Sequence, residues 1–385
     1  MTTATQTDVA HYIEKAHEIA ALLADVGDRI DTERRIPEEI TNRMADEGLF
    51  RLLIPKSLGG AELAHPDFRK IVSIFAQADG SAGWCVNQNN VFSTNSARVP
   101  EETAQEVWTV QRNVVTNGPP MPYTRADVVD GGYRISGRWN FSSGIPHATW
   151  VAALTPVYQP GQSEPSEMRT MLLPKGEVNV LDVWNVGGLR GTGSHSFEIE
   201  EAFIPAARSY PTTAGSREPG PLYYIPTTLL FCSGFATVAL GAARAGLDSA
   251  VELAIGKTQM GRETTMRDES TTQRMVGEAE AIWNAARAFL DESANAMWEG
   301  VCRNRDLTTE ERIRVRLSST HAIRQAAKVV DIAYTLCGSS AIFAVNPIQR
   351  KFQDVHAITQ QIQGRPTHYD TAGQFYLGLE PGGIF

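Results

Sequence analysis

The sequence predicts an α+β protein: a helical N-terminal domain, a middle antiparallel β-domain and a C-terminal four-helix bundle. Three observations carry this. Up to about Pro100 the apolar residues recur at helical spacing. From Val114 to about Arg208 the period drops to two between Pro and Gly turns, and beyond Pro226 four long helical patterns follow. Because helices precede and follow the strands without alternating with them, a doubly wound parallel sheet is not expected. The expected boundaries are 1–113, 114–215 and 216–385.

In chain order, Ile13, Ala16, Ala20, Leu23 and Val26 line one face of a first helix over Val9 to Arg29. Pro37 opens a second helix, with Ile40 and Met44 on one face, and Gly48 stops it. After the turn in LFRLLIPKSLGG, helical patterns resume over Pro66–Ala78 and Ala82–Ser96. The second of these carries GSAGWCVNQNN. Four consecutive amides, Asn87 to Asn90, on an otherwise apolar helix are costly unless some of them meet a ligand or a partner.

Asn117-Gly118-Pro119-Pro120 ends helical character. Alternation then marks GGYRISGRW, Ala148–Leu154, Arg169–Pro174 and HSFEIEEAFIP as strands. Past the polar loop at Thr212–Pro221, helices are expected over Pro226–Lys257, Ser270–Glu299, Thr309–Leu336 and Ile348–Gln361. Gly234, Ala239, Gly241, Ala242 and Gly246 make the first of them small-faced, fit for close packing in a bundle or at a subunit interface. Thr308 or Thr309, followed by glutamates, supplies an N-cap for the third.

Composition narrows the function classes. A length of 385 residues with 42% hydrophobic content suits a globular protein with a sizeable core. The net charge of -9 is spread without a basic stripe, which argues against a nucleic-acid partner. Cys85, Cys232, Cys302 and Cys337 are far apart, so neither a metal site nor a disulfide framework is expected. The opening MTTATQTDVAHYIEK lacks a cationic head followed by an apolar run, and Pro226, Thr227, Thr228 and Ser233 interrupt the apolar stretch Leu222–Leu240. A cytoplasmic protein without membrane association is therefore expected. GSSAIF at Gly338 lacks the strand that a dinucleotide fingerprint needs.

Two segments have the composition of a ligand-facing loop. In RWNFSSG the strand pattern stops, and Ser142-Ser143-Gly144 offers hydroxyls, N–H groups and a close backbone approach to a flat ligand. GLRGTGS at Gly188 to Ser194 repeats the pattern. With the terminal LGLEP and the order of segments over almost the whole chain, these pieces resemble the acyl-CoA dehydrogenase fold, and within it the flavin-dependent monooxygenase branch, the two-component group D hydroxylases.

The resemblance implies reduced FMN or FAD supplied by a separate flavin reductase, O2, a small aromatic or heteroatom-containing substrate, and a homotetramer. It places Ser142 and Ser143 at the flavin ring, with Ser143 near N5 in a catalytic role, Trp139 or Phe141 over the ring face, and Gly191, Thr192 and Ser194 on the second loop. Lys257 stands where a basic residue meets the phosphate, with Gly338 and Ser339 in a segment contributed by a neighbouring subunit. Trp84 and Asn89 are candidates for the substrate pocket.

The chain departs from the family pattern near its end. An Arg-Asp pair followed seven positions on by a histidine becomes Gln353-Asp354 followed by Gln361, which can hydrogen-bond but cannot take a proton. His356 and His368 flank the position and either could turn inward; the resemblance implies that His368 or Gln361 sits near the flavin peroxide. The dehydrogenase branch needs a carboxylate base, and Asp370 in Tyr369-Asp370-Thr371-Ala372 is one methylene shorter than the family glutamate. Acyl-CoA dehydrogenation and a non-oxygenating flavoprotein are the alternatives.

Overall fold

A computed structural model describes residues 6–385; residues 1–5, the start of the N-terminus in which no signal peptide is expected, lie outside it. The first third is helical as expected: α1 (Gln6–Asp25), α2 (Gly27–Glu33), α3 (Glu38–Asp46), α4 (His65–Ala78), α5 (Gly80–Ser93) and α6 (Glu101–Trp108). Asp79 caps α5, its carboxylate accepting from Ala82 N at 2.8 Å. Helix α5 is buried on every side, which explains why its apolar residues follow no single stripe.

The strands are β1 (Val115–Gly118), β2 (Arg125–Val129), β3 (Gly132–Trp139), β4 (Trp150–Tyr158), β5 (Glu167–Pro174), β6 (Asn179–Leu181), β7 (Ser196–Pro205) and β8 (Ser209–Pro211). They form one sheet in the order β6-β7-β3-β2-β4-β5-β8, with β1 also on β4. The sheet expected to be antiparallel is mixed. Most pairs are antiparallel, but β1 and β2 both run parallel to β4. The Asn117–Pro120 interruption allows this: β1 meets the start of β4 (Val115 opposite Trp150) and β2 its end (Ala126 opposite Val157).

Helices return as α7 (Thr227–Gly256), α8 (Ser270–Asn304), α9 (Thr309–Cys337), α10 (Pro347–Thr359) and α11 (Thr367–Tyr376). Thr308 and Glu311 form a reciprocal capping box that fixes the start of α9. Helix α7 is long and apolar enough to cross a membrane by composition, yet 83% of that window is buried inside the molecule, so it is the core helix of the bundle.

Its small face packs within the chain. A Cβ at Gly241 would stand 2.7 Å from Ala76 Cβ, and one at Gly246 3.1 Å from Ile348 Cδ1. The small residues let α4 and α10 close onto α7. One hydrophobic core accordingly joins the first and last thirds, from Ile19, Phe68 and Phe75 to Leu229, Ala236 and Val329. The sheet keeps its own core around Ile135, Trp139, Val151 and Phe197.

Candidate functional site

The two glycine-rich segments that the sequence singles out lie against each other, laced by main-chain bonds. Ser142 N donates to His195 O at 3.0 Å and Gly144 N to Thr192 O at 2.7 Å. Phe141 turns the chain out of β3 with φ of 53°, and Gly144 continues the bend at φ of 80°. A side chain at Gly118 would strike Asn140 O at 2.1 Å, so the start of the sheet also presses on this bend.

Side chains then build a chain of hydrogen bonds. Trp84 Nε1 donates to Ser143 Oγ at 2.9 Å, Ser143 Oγ pairs with Ser194 Oγ at 2.6 Å, and Ser194 Oγ with Thr192 Oγ1 at 2.7 Å. Thr192 Oγ1 donates to Leu189 O at 2.9 Å. Indole N–H can only donate and a carbonyl can only accept, so the direction is set at both ends. The Ser143 proton points to Ser194, that of Ser194 to Thr192, and Ser143 keeps one lone pair as an acceptor.

Ser142 differs. Its Oγ is buried with no hydrogen-bond partner, 2.6 Å from where a Cβ on Gly118 would stand, which leaves a free O–H donor one residue before the free lone pair of Ser143. A reduced flavin fits this pair, since its ring edge carries both an N–H and carbonyl acceptors.

Beneath this bend lies a buried ionic cluster. Asp354 Oδ1 accepts from Leu189 N at 2.6 Å, tying α10 to the residue that ends the hydroxyl chain. Arg350 reaches Asp79 at 2.6 Å and Asp31 at 3.2 Å, and Lys351 donates to the carbonyls of Gln77 and Ala78 at 2.9 and 2.8 Å, closing the end of α4. Burial pushes the Asp354 carboxyl up to about 6; Arg350 pulls it down and Asp79 adds to the rise. Gly188 packs on the same helix, its missing Cβ only 2.2 Å from Gln353 O.

Other expected residues stand apart from the bend. Trp139 is fully buried in the sheet core, stacked on Phe197 at 5.0 Å and donating to Leu154 O, so its face is already taken. Phe141 is 62% exposed, edge-on to Trp184. Gly191 is a packing glycine, its Cβ position 2.2 Å from Ile30 Cγ2. Asn89 braces the chain, donating to Val115 O at 3.1 Å with its Oδ1 3.2 Å from His147 Nε2.

The amide run on α5 is therefore explained mostly by protein partners. Gln88 bonds Asn117, and Asn90 bonds Leu49 O, Val86 O and Leu52 N. Asn87 alone leaves both amide atoms without a partner.

Lys257, at the end of α7, donates to Ser340 Oγ at 2.8 Å beside the exposed Gly338 and Ser339. His368 and Gln361 belong to a third group. His368 is buried, and its Nε2 lies 2.8 Å from Ile362 O, which can only accept; Nε2 therefore carries the proton and Nδ1 the lone pair. Burial lowers its pKa, with Arg316 pushing the same way. Gln361 Oε1 accepts from Gln363 N at 2.6 Å, closing its own turn.

Asp370 is exposed in the first turn of α11, where a carboxylate suits the helix dipole. His356 is partly exposed and 2.8 Å from Asp331.

A cleft of about 430 Å³ is lined by Arg34, Ile145, Asp182 and His195 among others, and not by Ser143. Its two arginines are paired, Arg34 meeting Asp182 at 2.6 and 2.7 Å and Arg35 meeting Glu33 at 3.2 Å. The free donor and acceptor lie in the hydroxyl cluster instead.

Sequence reasoning missed the Trp84–Ser143 link, the Asp354 anchor and Arg316. Only Asp79 had a legible signal, an aspartate directly before a glycine-led helix.

Comparison with known proteins identifies the family of the chain. Residues 11–109 match the acyl-CoA dehydrogenase N-terminal domain and residues 233–365 the acyl-CoA dehydrogenase C-terminal domain. The chain is 30% identical to an indole-3-acetate monooxygenase of Pseudomonas putida, covering 94% of this chain and 93% of that one. It is 27% identical to the oxygenase component of an FADH2-dependent resorcinol hydroxylase of a Rhizobium species, over 95% and 94% of the two chains. The crystal structure of 3-HSA hydroxylase from Rhodococcus superposes with a TM-score of 0.90 at 26% identity, covering 97% of this chain and 98% of that one. The chain belongs to the acyl-CoA dehydrogenase family, as an enzyme of its flavin-dependent monooxygenase branch.

Proposed function

We propose that this chain is the oxygenase component of a two-component system. It takes reduced FMN or FAD from a separate reductase, uses O2, and oxygenates a small aromatic or heteroatom-containing substrate in the cytoplasm. The observation that carries this reading is the buried Ser142 hydroxyl without a partner, next in the chain to Ser143 with its one remaining lone pair. When bound, reduced flavin supplies the electrons that activate O2, one oxygen atom going to substrate and the other to water.

Residues of the chain divide the remaining work. Ser142 donates to a ring acceptor and Ser143 accepts from a ring N–H, while Trp84 and Ser194 hold the Ser143 hydroxyl in that orientation. His368, neutral and with its Nδ1 lone pair free, is the group able to accept a substrate proton, a task the Gln361 amide cannot perform. Lys257, with Gly338 and Ser339 nearby, is proposed to meet the flavin phosphate. The exposed apolar residues Ile342, Phe343 and Val345 in the same region support assembly as a homotetramer.

The exposure of Asp370 speaks against the acyl-CoA dehydrogenase alternative. The test is anaerobic titration with reduced FMN and reduced FAD, followed by 18O2 and a panel of phenols, indoles and thiophenes. Uptake of reduced flavin and 18O in product are expected. A chain that binds reduced flavin in neither form overturns the reading.

A further inference from the structure

Arg316, on α9, is 1% exposed, and among the described residues no carboxylate lies within ion-pair distance of it. Its partners are neutral: Nη1 donates to Gln363 Oε1, Nη2 donates to Thr228 Oγ1 at 2.6 Å, and Nε has no partner. Other buried guanidinium groups are better compensated. Arg69 meets Asp291 at 3.0 Å, Arg350 meets Asp79 at 2.6 Å, and Arg51 donates to the carbonyls of Trp108, Val110 and Leu58. A buried cation held only by one amide and one hydroxyl is poorly solvated, so an anion placed against it gains strongly.

The position of this cation relative to the hydroxyl cluster gives it meaning. Thr228, Phe231 and Phe235 stand at i, i+3 and i+7 on α7 and so share one face. Phe231 stacks on Phe235 at 5.7 Å, Phe235 stacks on Trp84 at 3.8 Å, and Trp84 holds Ser143. At a rise of about 1.5 Å per residue, Phe235 and Thr228 are roughly 10 Å apart along the helix. An aromatic stripe thus runs from the bend of Ser142 and Ser143 to Arg316, with His368 beside the far end. Phe231 and Thr228 are partly exposed, which leaves the stripe open on that side.

We infer that Arg316 anchors the negatively charged group of the substrate and that the substrate class is a small aromatic carboxylate. This rests on the proposed function above, which makes the Ser143 end of the stripe the flavin-facing one. The ring lies along Trp84, Phe231 and Phe235. The carboxylate takes Nε and Nη2 side-on, and the Thr228 hydroxyl, now bonded to Nη2, turns to donate to it. The guanidinium fork selects for charge and planarity together, which a primary amide does not supply.

The experiment is anaerobic calorimetry on the full chain, with and without saturating reduced FMN, using phenylacetate and 3-phenylpropanoate, each beside its primary amide. In the wild type at least one acid should bind ten times or more tighter than its amide. Arg316→Met should erase that preference, and Arg316→Lys should restore part of it.

Arg316→Met also loses two internal bonds and can fail to fold, so Gln363→Glu provides a second arm. It keeps the acceptor for Nη1 and places a carboxylate on the guanidinium from within. A higher melting temperature and acid binding at least tenfold weaker are expected. Equal binding of acid and amide by the wild type, or undiminished acid binding in Gln363→Glu, overturns the inference. Neither outcome touches the flavin reading, which stands or falls on the separate flavin titration.

Discussion

Ser142 and Ser143 are neighbours in sequence with opposite hydrogen-bonding states. Ser143 is committed to Trp84 and Ser194, whereas Ser142 has a buried hydroxyl and nothing to bond. Ser142→Ala is therefore expected to leave the melting temperature unchanged or slightly higher, because it removes an unsatisfied group, and to weaken reduced-flavin binding about tenfold, one net hydrogen bond. Ser143→Ala should slow turnover in an oxygen-uptake assay, since it breaks the chain between Trp84 and Ser194. His356→Ala should have little effect, its ring being partly exposed and paired with Asp331. Equal losses from Ser143→Ala and His356→Ala would contradict these assignments.

At the scale of elements, the site depends on how closely a loop and three helices approach. Gly188 lies against the main chain of Gln353 on α10, where a Cβ would stand 2.2 Å from a carbonyl oxygen that cannot swing aside. Gly188→Ala is expected to lose about 1–3 kcal/mol in urea unfolding and to weaken flavin binding as well, because it displaces Leu189 and with it Thr192. The capping box of α9 has no such link to the bend. Thr308→Ala should lower stability by about 1 kcal/mol with flavin affinity intact.

Element boundaries were largely legible in the sequence, with the four expected long helices matching α7 to α10 closely. Helices α6 and α11 passed unnoticed, since both are short, at eight and ten residues. The parallel pairings of β1 and β2 were equally hidden. They depend on which edge of β4 two short strands reach, and no local period records that.

Over the whole molecule, buried titratable groups make stability depend on pH. His65 is fully buried, and burial, reinforced by Arg69, pushes its pKa down to about 3. The unfolded state therefore binds a proton that the folded state refuses. Stability from this group is intact above about 6.5 and is lost as pH falls toward 3. Asp354 acts in the opposite sense. Its raised pKa means that ionisation opposes folding as pH climbs from about 4 to 6.

The melting temperature of Asp354→Asn minus that of the wild type should accordingly be more positive at pH 7 than at pH 5, by the equivalent of roughly 1 kcal/mol. A difference independent of pH, measured by scanning calorimetry across that range, would show that Asp354 does not titrate in the folded chain.

The sequence by itself determined the class of the fold, its long helices and the two serine- and glycine-rich segments at its centre, because these rest on local periodicity and on backbone freedom at glycine. Even the missing family histidine at Gln361 could be counted off the chain. Tertiary structure alone decided which groups at the site remain free. Trp84 lies 59 residues from Ser143, and Asp354 lies 165 from Leu189. Whether a hydroxyl is spent or available, or a buried cation such as Arg316 compensated or bare, depends on partners that only the packing of distant segments brings within hydrogen-bonding reach.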